Sequence, residues 1–234
     1  MGVNGQHILE LPIDLPMRDV IRMLTGTEQK AVPPRVLALV NHLIAQSADH
    51  LTIHVAYTVL NVRRSTGTDL ELAGHVVFRG QIADFMKASE RIVVFVATIG
   101  NHLDEMAREK HAQGNLDESY ILHAIGSTAT DSAPDVLIEY LWEHEAKASE
   151  ALTTAFCPGY CGLEMNEQRT VFSLIDAEAI GVRLLPSLMM YPLKSISGLI
   201  GIGPSEKIER HGFPCERCRD DRCPTRPTRR RWGL

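Results

Sequence analysis

The segment Phe156-Cys157-Pro158-Gly159-Tyr160-Cys161 concentrates more chemistry than any other six residues of the chain. Proline fixes φ, glycine reaches conformations closed to other residues, and tyrosine offers a hydroxyl on a broad ring. Such a loop can lay peptide N–H and C=O groups against a polar ligand while the ring packs on its flat portion. The plainer reading is a turn and nothing more, with Cys157 as a small buried side chain.

A second constellation is Cys215-x-x-Cys218-x-x-x-x-Cys223, set among arginines and prolines near the end of the chain. Closely spaced thiolates can approach one metal from a tight turn, and a third can complete a face. Three ligands are one short for structural zinc; Cys157, Cys161 or His211 could supply the fourth. An iron–sulfur cluster is the alternative, although the spacing matches no standard ferredoxin run. Free or redox-active thiols and a disulfide stand beside these, and the neighbouring arginines favour thiolates. Five cysteines, an odd number, without an export signal argue against a disulfide scaffold.

Other candidates have plain explanations. His102, His111, His123 and His144 lie along predicted helices without metal-ligand spacing and read as surface or helix-end residues. Asp104, Glu105 and Glu109 need only be solvated. No nucleophile elbow, P-loop or dinucleotide fingerprint is present, and the glycines of Gly198–Gly203 read as strand and turn.

The elements that must position these residues follow from periodicity. Strands are predicted at 8–12, 51–60, 75–79, 91–98 and 196–202, from β-branched and aromatic content. Helices are predicted at 16–24, 33–47, 81–90, 101–113, through the small-residue run 124–133, at 132–151 and at 166–174. Val136, Leu137, Tyr140 and Leu141 are the expected buried stripe of the helix over 132–151, and 176–184 reads as a turn into a strand. A loop over 153–163 connects the helical stretch to the last strands. These make one α+β domain over 1–205, a twisted, mostly antiparallel sheet with packed helices, and an irregular cysteine- and arginine-rich extension over 206–234.

Composition bounds the rest. Hydrophobic content of 44% with 23% charged residues predicts a folded body. A net charge of -5 offers no general attraction for nucleic acid, and no apolar run approaches membrane-spanning length, so a cytoplasmic protein is expected. Seven arginines between Arg217 and Arg231 could meet an acidic partner or a phosphate, or simply form a solvated terminus.

Residues 154–203 carry an ordered pattern: Cys157-Pro-Gly-Tyr160, Glu167-Gln168, Phe172, Ile180-Gly-Val182, Met190-x-Pro192 and Lys194-Ser-x-Ser-Gly198. With Ala97-Thr-x-Gly100 and the small-residue helix before it, this resembles the activation domain of cobalamin-dependent methionine synthase over about residues 50–205. The resemblance implies an accessory domain that binds S-adenosylmethionine and supports reductive methylation of a corrinoid. It assigns ligand contact to Cys157, Pro158, Gly159 and Tyr160, matches Glu139 to a ligand-binding acid on the preceding helix, and puts Lys194 and Ser195 in the neighbouring strand and turn. Met190, Ser197 and Gly198 belong to that same strand and turn. The family usually has arginine where this chain has Ala155, a guanidinium suited to clamping a carboxylate. No Asp-x-His-x-x-Gly pattern is present, so the corrinoid implied belongs to a partner, a methyltransferase or methionine synthase, with a separate electron donor. The alternatives are a cysteine-ligated redox protein that reduces a corrinoid protein, and a structural adaptor without ligand.

Overall fold

The computed structural model describes residues 5–26, 32–160 and 162–208. Its strands are β1 (Gln6–Pro12), β2 (Thr52–Ser65), β3 (Asp69–Leu72), β4 (Val76–Arg79), β5 (Arg91–Thr98), β6 (Glu150–Leu152), β7 (Arg183–Leu184), β8 (Met190–Tyr191) and β9 (Ser195–Pro204). The helices are α1 (Met17–Thr25), α2 (Pro34–Ser47), α3 (Ile82–Phe85), α4 (His102–Ala112), α5 (Leu116–His144) and α6 (Gln168–Leu174). Every strand pairing is antiparallel. The main sheet runs β4-β3-β2-β5-β9-β6, with β1 also paired to β2, and β7 and β8 form a separate hairpin.

The period-2 alternation of strands sorts the core into two layers. Ile53, Val55 and Tyr57 of β2, Val93, Phe95 and Ala97 of β5, and Ile200 and Ile202 of β9 face α1, α2, α4 and α5. The intervening Ala56, Ile92, Val94, Val96 and Leu199 face the other way, against Phe78, Ile82, Phe156, Leu163 and Val171. Strand β5 is therefore buried on both faces, which is why 91–98 is the most continuously apolar stretch of the chain.

The helix expected at 132–151 and the small-residue run before it are one 29-residue helix, α5, which ends at His144. Gly126 and Pro134 make the run read as broken, since each weakens intrinsic helix propensity. Burial of Ile121, Leu122, Ile125, Ala129, Ala133, Leu137 and Leu141 along one face overrides that preference. Residues 150–152, of which 150 and 151 were expected to be helical, are edge strand β6 instead. The helix expected over 81–90 is the single turn α3, because Ser89 and Glu90 already turn the chain toward β5, with the Glu90 N–H donating to the Ile202 carbonyl at 2.9 Å. Strand β2 continues to Ser65, and β3, not anticipated, pairs with its extension.

No helix among the described residues is long and apolar enough to cross a membrane.

Candidate functional site

The Cys-Pro-Gly-Tyr loop hangs from the sheet edge. After β6, the Thr153 N–H donates to the Gly201 carbonyl, and the Gly201 N–H returns a bond to Thr153 Oγ1, each at 2.9 Å. Phe156 and Leu199 then exchange both backbone bonds at 2.9 Å. That approach needs glycine at 198: a Cβ there would lie 2.7 Å from the Phe156 carbonyl oxygen and 3.0 Å from the Phe95 ring. The loop proper closes on itself, with the Tyr160 N–H donating to the Cys157 carbonyl at 3.0 Å and the Gly159 N–H to the Leu163 carbonyl at 2.8 Å. Gly159 stands at φ +87°, where glycine carries no steric penalty. Beyond it the Gly162 carbonyl accepts from the Ile82 N–H at 3.3 Å, fixing the loop to the turn between β4 and α3.

Burial decides what the loop presents. Pro158 is buried and Cys157 half-buried, whereas Gly159 and Tyr160 are exposed, Tyr160 by 45%. The Gly159 and Tyr160 amides are both engaged inside the turn, so the side chain that the loop exposes most is Tyr160.

Helix α5 carries the Asp135 and Glu139 carboxylates four residues apart. Glu139 is exposed on α5, one turn beyond Asp135. Burial, and then the Glu139 charge, push the Asp135 carboxyl above the usual carboxylate range. Asp135 keeps more than a third of its surface in solvent, which moderates that effect. Ala155 packs against the same core as Val136 and Tyr140 of α5, so loop and helix share one apolar footing.

Lys194 and Ser195 have partners of their own. Lys194 Nζ donates to Ser127 Oγ at 2.9 Å and to the His123 carbonyl at 3.3 Å, and lies 3.8 Å from Asp104 Oδ1. Its stem runs over Gly126, where a Cβ would meet Lys194 Cε at 3.0 Å. The ammonium and the carboxylate are only 14% and 15% exposed, and together they tie α4, α5 and the start of β9. His123 adds a second contact to Asp104 at 3.3 Å. Ser195 Oγ donates to the Pro192 carbonyl at 2.6 Å and lies 2.9 Å from Thr98 Oγ1, bracing the turn after the cis Tyr191–Pro192 bond. The geometry thus brings Cys157, Pro158, Gly159 and Tyr160 together in one loop and places Lys194 and Ser195 in a polar cluster built into the scaffold.

His102, His111, His123 and His144 are all exposed. Among the described residues no group of three or more His, Cys, Asp or Glu could hold a metal ion. The candidate ligands Cys161, Cys215, Cys218 and Cys223 lie outside the described residues, as does His211.

An antiparallel sheet with its long helices on one side is a fold shared with known proteins. The family described as vitamin B12 dependent methionine synthase, activation domain, matches residues 75–231, about two thirds of the chain. The chain belongs to that family. Among solved structures, the crystal structure of the MetH reactivation domain bound to AdoHcy is similar, with a TM-score of 0.66 and 17% identity. The match covers 90% of this chain and 81% of that one. At that identity the likeness shows the activation-domain fold, and both loop and α5 fall inside the family match. No curated protein matches the chain.

Proposed function

We propose that this activation-domain protein binds S-adenosylmethionine at the β9 edge of its sheet and presents it for methylation of a corrinoid held by a separate protein. The observation that carries the assignment is the Cys157–Tyr160 loop, rigidly closed by backbone bonds and projecting an exposed tyrosine from a family fold. AdoHcy, to which the similar MetH reactivation domain is bound, is the demethylated counterpart of that donor and supports the same class of ligand.

The residues present suit a cationic methyl donor. Tyr160 offers a ring face that attracts a sulfonium or ammonium and an edge for a purine, and Glu139 offers an acceptor for amino or ribose hydrogens. With alanine at 155, no guanidinium from that position meets the ligand's carboxylate. The donor supplies an already activated methyl group; with an electron from outside the chain, the partner's corrinoid accepts it and demethylated donor is left. The role of this chain is to hold and orient the donor.

Calorimetric titration of the purified protein with S-adenosylmethionine, repeated with Tyr160→Ala, tests this. Saturable binding that weakens about tenfold or more in the variant is expected, in line with loss of an aromatic contact of roughly 1.5 kcal/mol or more. Absence of binding at millimolar ligand overturns the assignment.

A further inference from the structure

We propose that Arg91 and Glu150 are positioning residues that set the distance between the Cys-Pro-Gly-Tyr loop and α5. Between the end of α5 and the start of β6 the chain runs through residues 145–149, which lie outside any strand and meet the sheet side by one backbone bond, from the Ser205 N–H to the Ser149 carbonyl at 2.9 Å. A polar clasp spans that crossing. Arg91, the first residue of β5, sends Nη2 to Glu150 Oε2 at 2.6 Å and to the Glu145 carbonyl at 3.2 Å. Glu150 Oε2 also accepts from the Lys147 N–H at 2.8 Å.

Glu145 is the C-cap of α5, and its side chain accepts a bond from the Tyr57 hydroxyl at 2.9 Å. One guanidinium therefore ties a helix end to an edge strand, while a phenol from the sheet centre holds the same helix end from beneath. Strand β6 is three residues long and, among the described residues, pairs only with β9. So short an edge strand has few ladder bonds with which to hold its own position, and Glu150, at 8% exposure, is its first residue. Any slip at Glu150 is passed along Ala151–Phe156 to the loop, whereas Arg91 and Tyr57 sit in strands locked on both sides.

Both contacts leave one terminal nitrogen, Nη2, and a lysine side chain ends one bond short of that position. Arg91→Lys keeps the charge but breaks the double contact, and Glu150→Gln keeps the side-chain shape but removes the charge.

Amide hydrogen exchange on the full chain decides the matter, together with calorimetry on the same variants. In Arg91→Lys and Glu150→Gln, the Thr153, Phe156 and Gly159 amides are expected to exchange at least tenfold faster. The β1–β2 and α4 amides should be unchanged. Uniform acceleration across the molecule, or no change at the loop, overturns the proposal. Because the relevance to ligand rests on the site proposed above, affinity for S-adenosylmethionine is read separately. A several-fold weaker dissociation constant at a temperature where each variant is folded supports the positioning role, and unchanged affinity despite a loosened loop overturns it. If the wild type binds no donor, the site assignment falls, and the exchange pattern still decides whether the clasp sets the loop.

Discussion

Ala155 is the residue at which this chain departs most sharply from what its family resemblance implies. Its methyl group packs with the α5-side core, so the space an arginine stem would use begins at that surface. Ala155→Arg is expected to raise affinity for S-adenosylmethionine about tenfold, the effect of one charge-assisted contact of roughly 1.5 kcal/mol. Calorimetry checks it, with urea denaturation to confirm that the variant folds. Unchanged affinity would mean that the ligand carboxylate is met elsewhere or does not face position 155. Lys194 carries a different lesson at this scale. Its sequence neighbourhood resembles a ligand-side strand and turn, yet its ammonium already bonds Ser127 and the His123 carbonyl beside Asp104. Nothing in the local sequence joins residue 194 to residues 104, 123 and 127; only the packing of α4 and α5 brings them together.

Among the elements, β9 does the most to shape the candidate site. Its glycines are spaced so that neighbours come close on both faces: Gly198 admits the Phe156 carbonyl, Gly201 the Ser89 and Met86 side chains, and Gly203 the backbone of Ala88 and Ser89. Gly198→Ala is expected to destabilise the protein by about 2–3 kcal/mol, because the atoms in its way are a backbone carbonyl and a buried ring. A urea midpoint measures that cost, and loss of protection at the Phe156 and Leu199 amides would show that the bridge is what breaks. An alanine variant as stable as wild type would mean the loop can lift without cost. Helix α5 is the complementary element. It forms as one helix in spite of Gly126 and Pro134 because Ile121, Leu122, Ile125, Ala129, Ala133, Leu137 and Leu141 are buried along one face.

At the scale of the whole molecule, stability depends on pH with two opposed contributions. Burial alone would raise the Glu150 carboxyl, but the Lys147 N–H and Arg91 outweigh it and hold Glu150 below its ordinary value of 4.5. The unfolded chain then binds the proton more readily than the folded one. Stability from Glu150 is fully present above about pH 4.5 and is lost as pH falls through the lowered folded value. Asp135 has the reverse sign: its folded carboxyl is raised above 3.8, so its contribution declines as pH climbs from that value through the raised one. Glu150→Gln is expected to cost about 2–4 kcal/mol near neutrality, as for breaking a largely buried ion pair. The gap to wild type should narrow in denaturation experiments below pH 4. A gap independent of pH would show that shape, not charge, holds the clasp.

The sequence by itself determined the α+β class, the buried strand at 91–98, the Cys-Pro-Gly-Tyr loop and the family. Each is written in local periodicity or in an ordered motif, and those survive without knowledge of distant contacts. The extent of α5, the brevity of α3 and β6, the existence of β3, and the clasps around Arg91 and Lys194 were decided only in the tertiary structure. Helix propensity at Gly126 and Pro134 is weaker than the burial energy of the face that contains them. The partners of Arg91 and Lys194 lie 54 to 90 residues away along the chain, at spacings that encode no period, so their chemistry appears only when the sheet closes and sets them side by side.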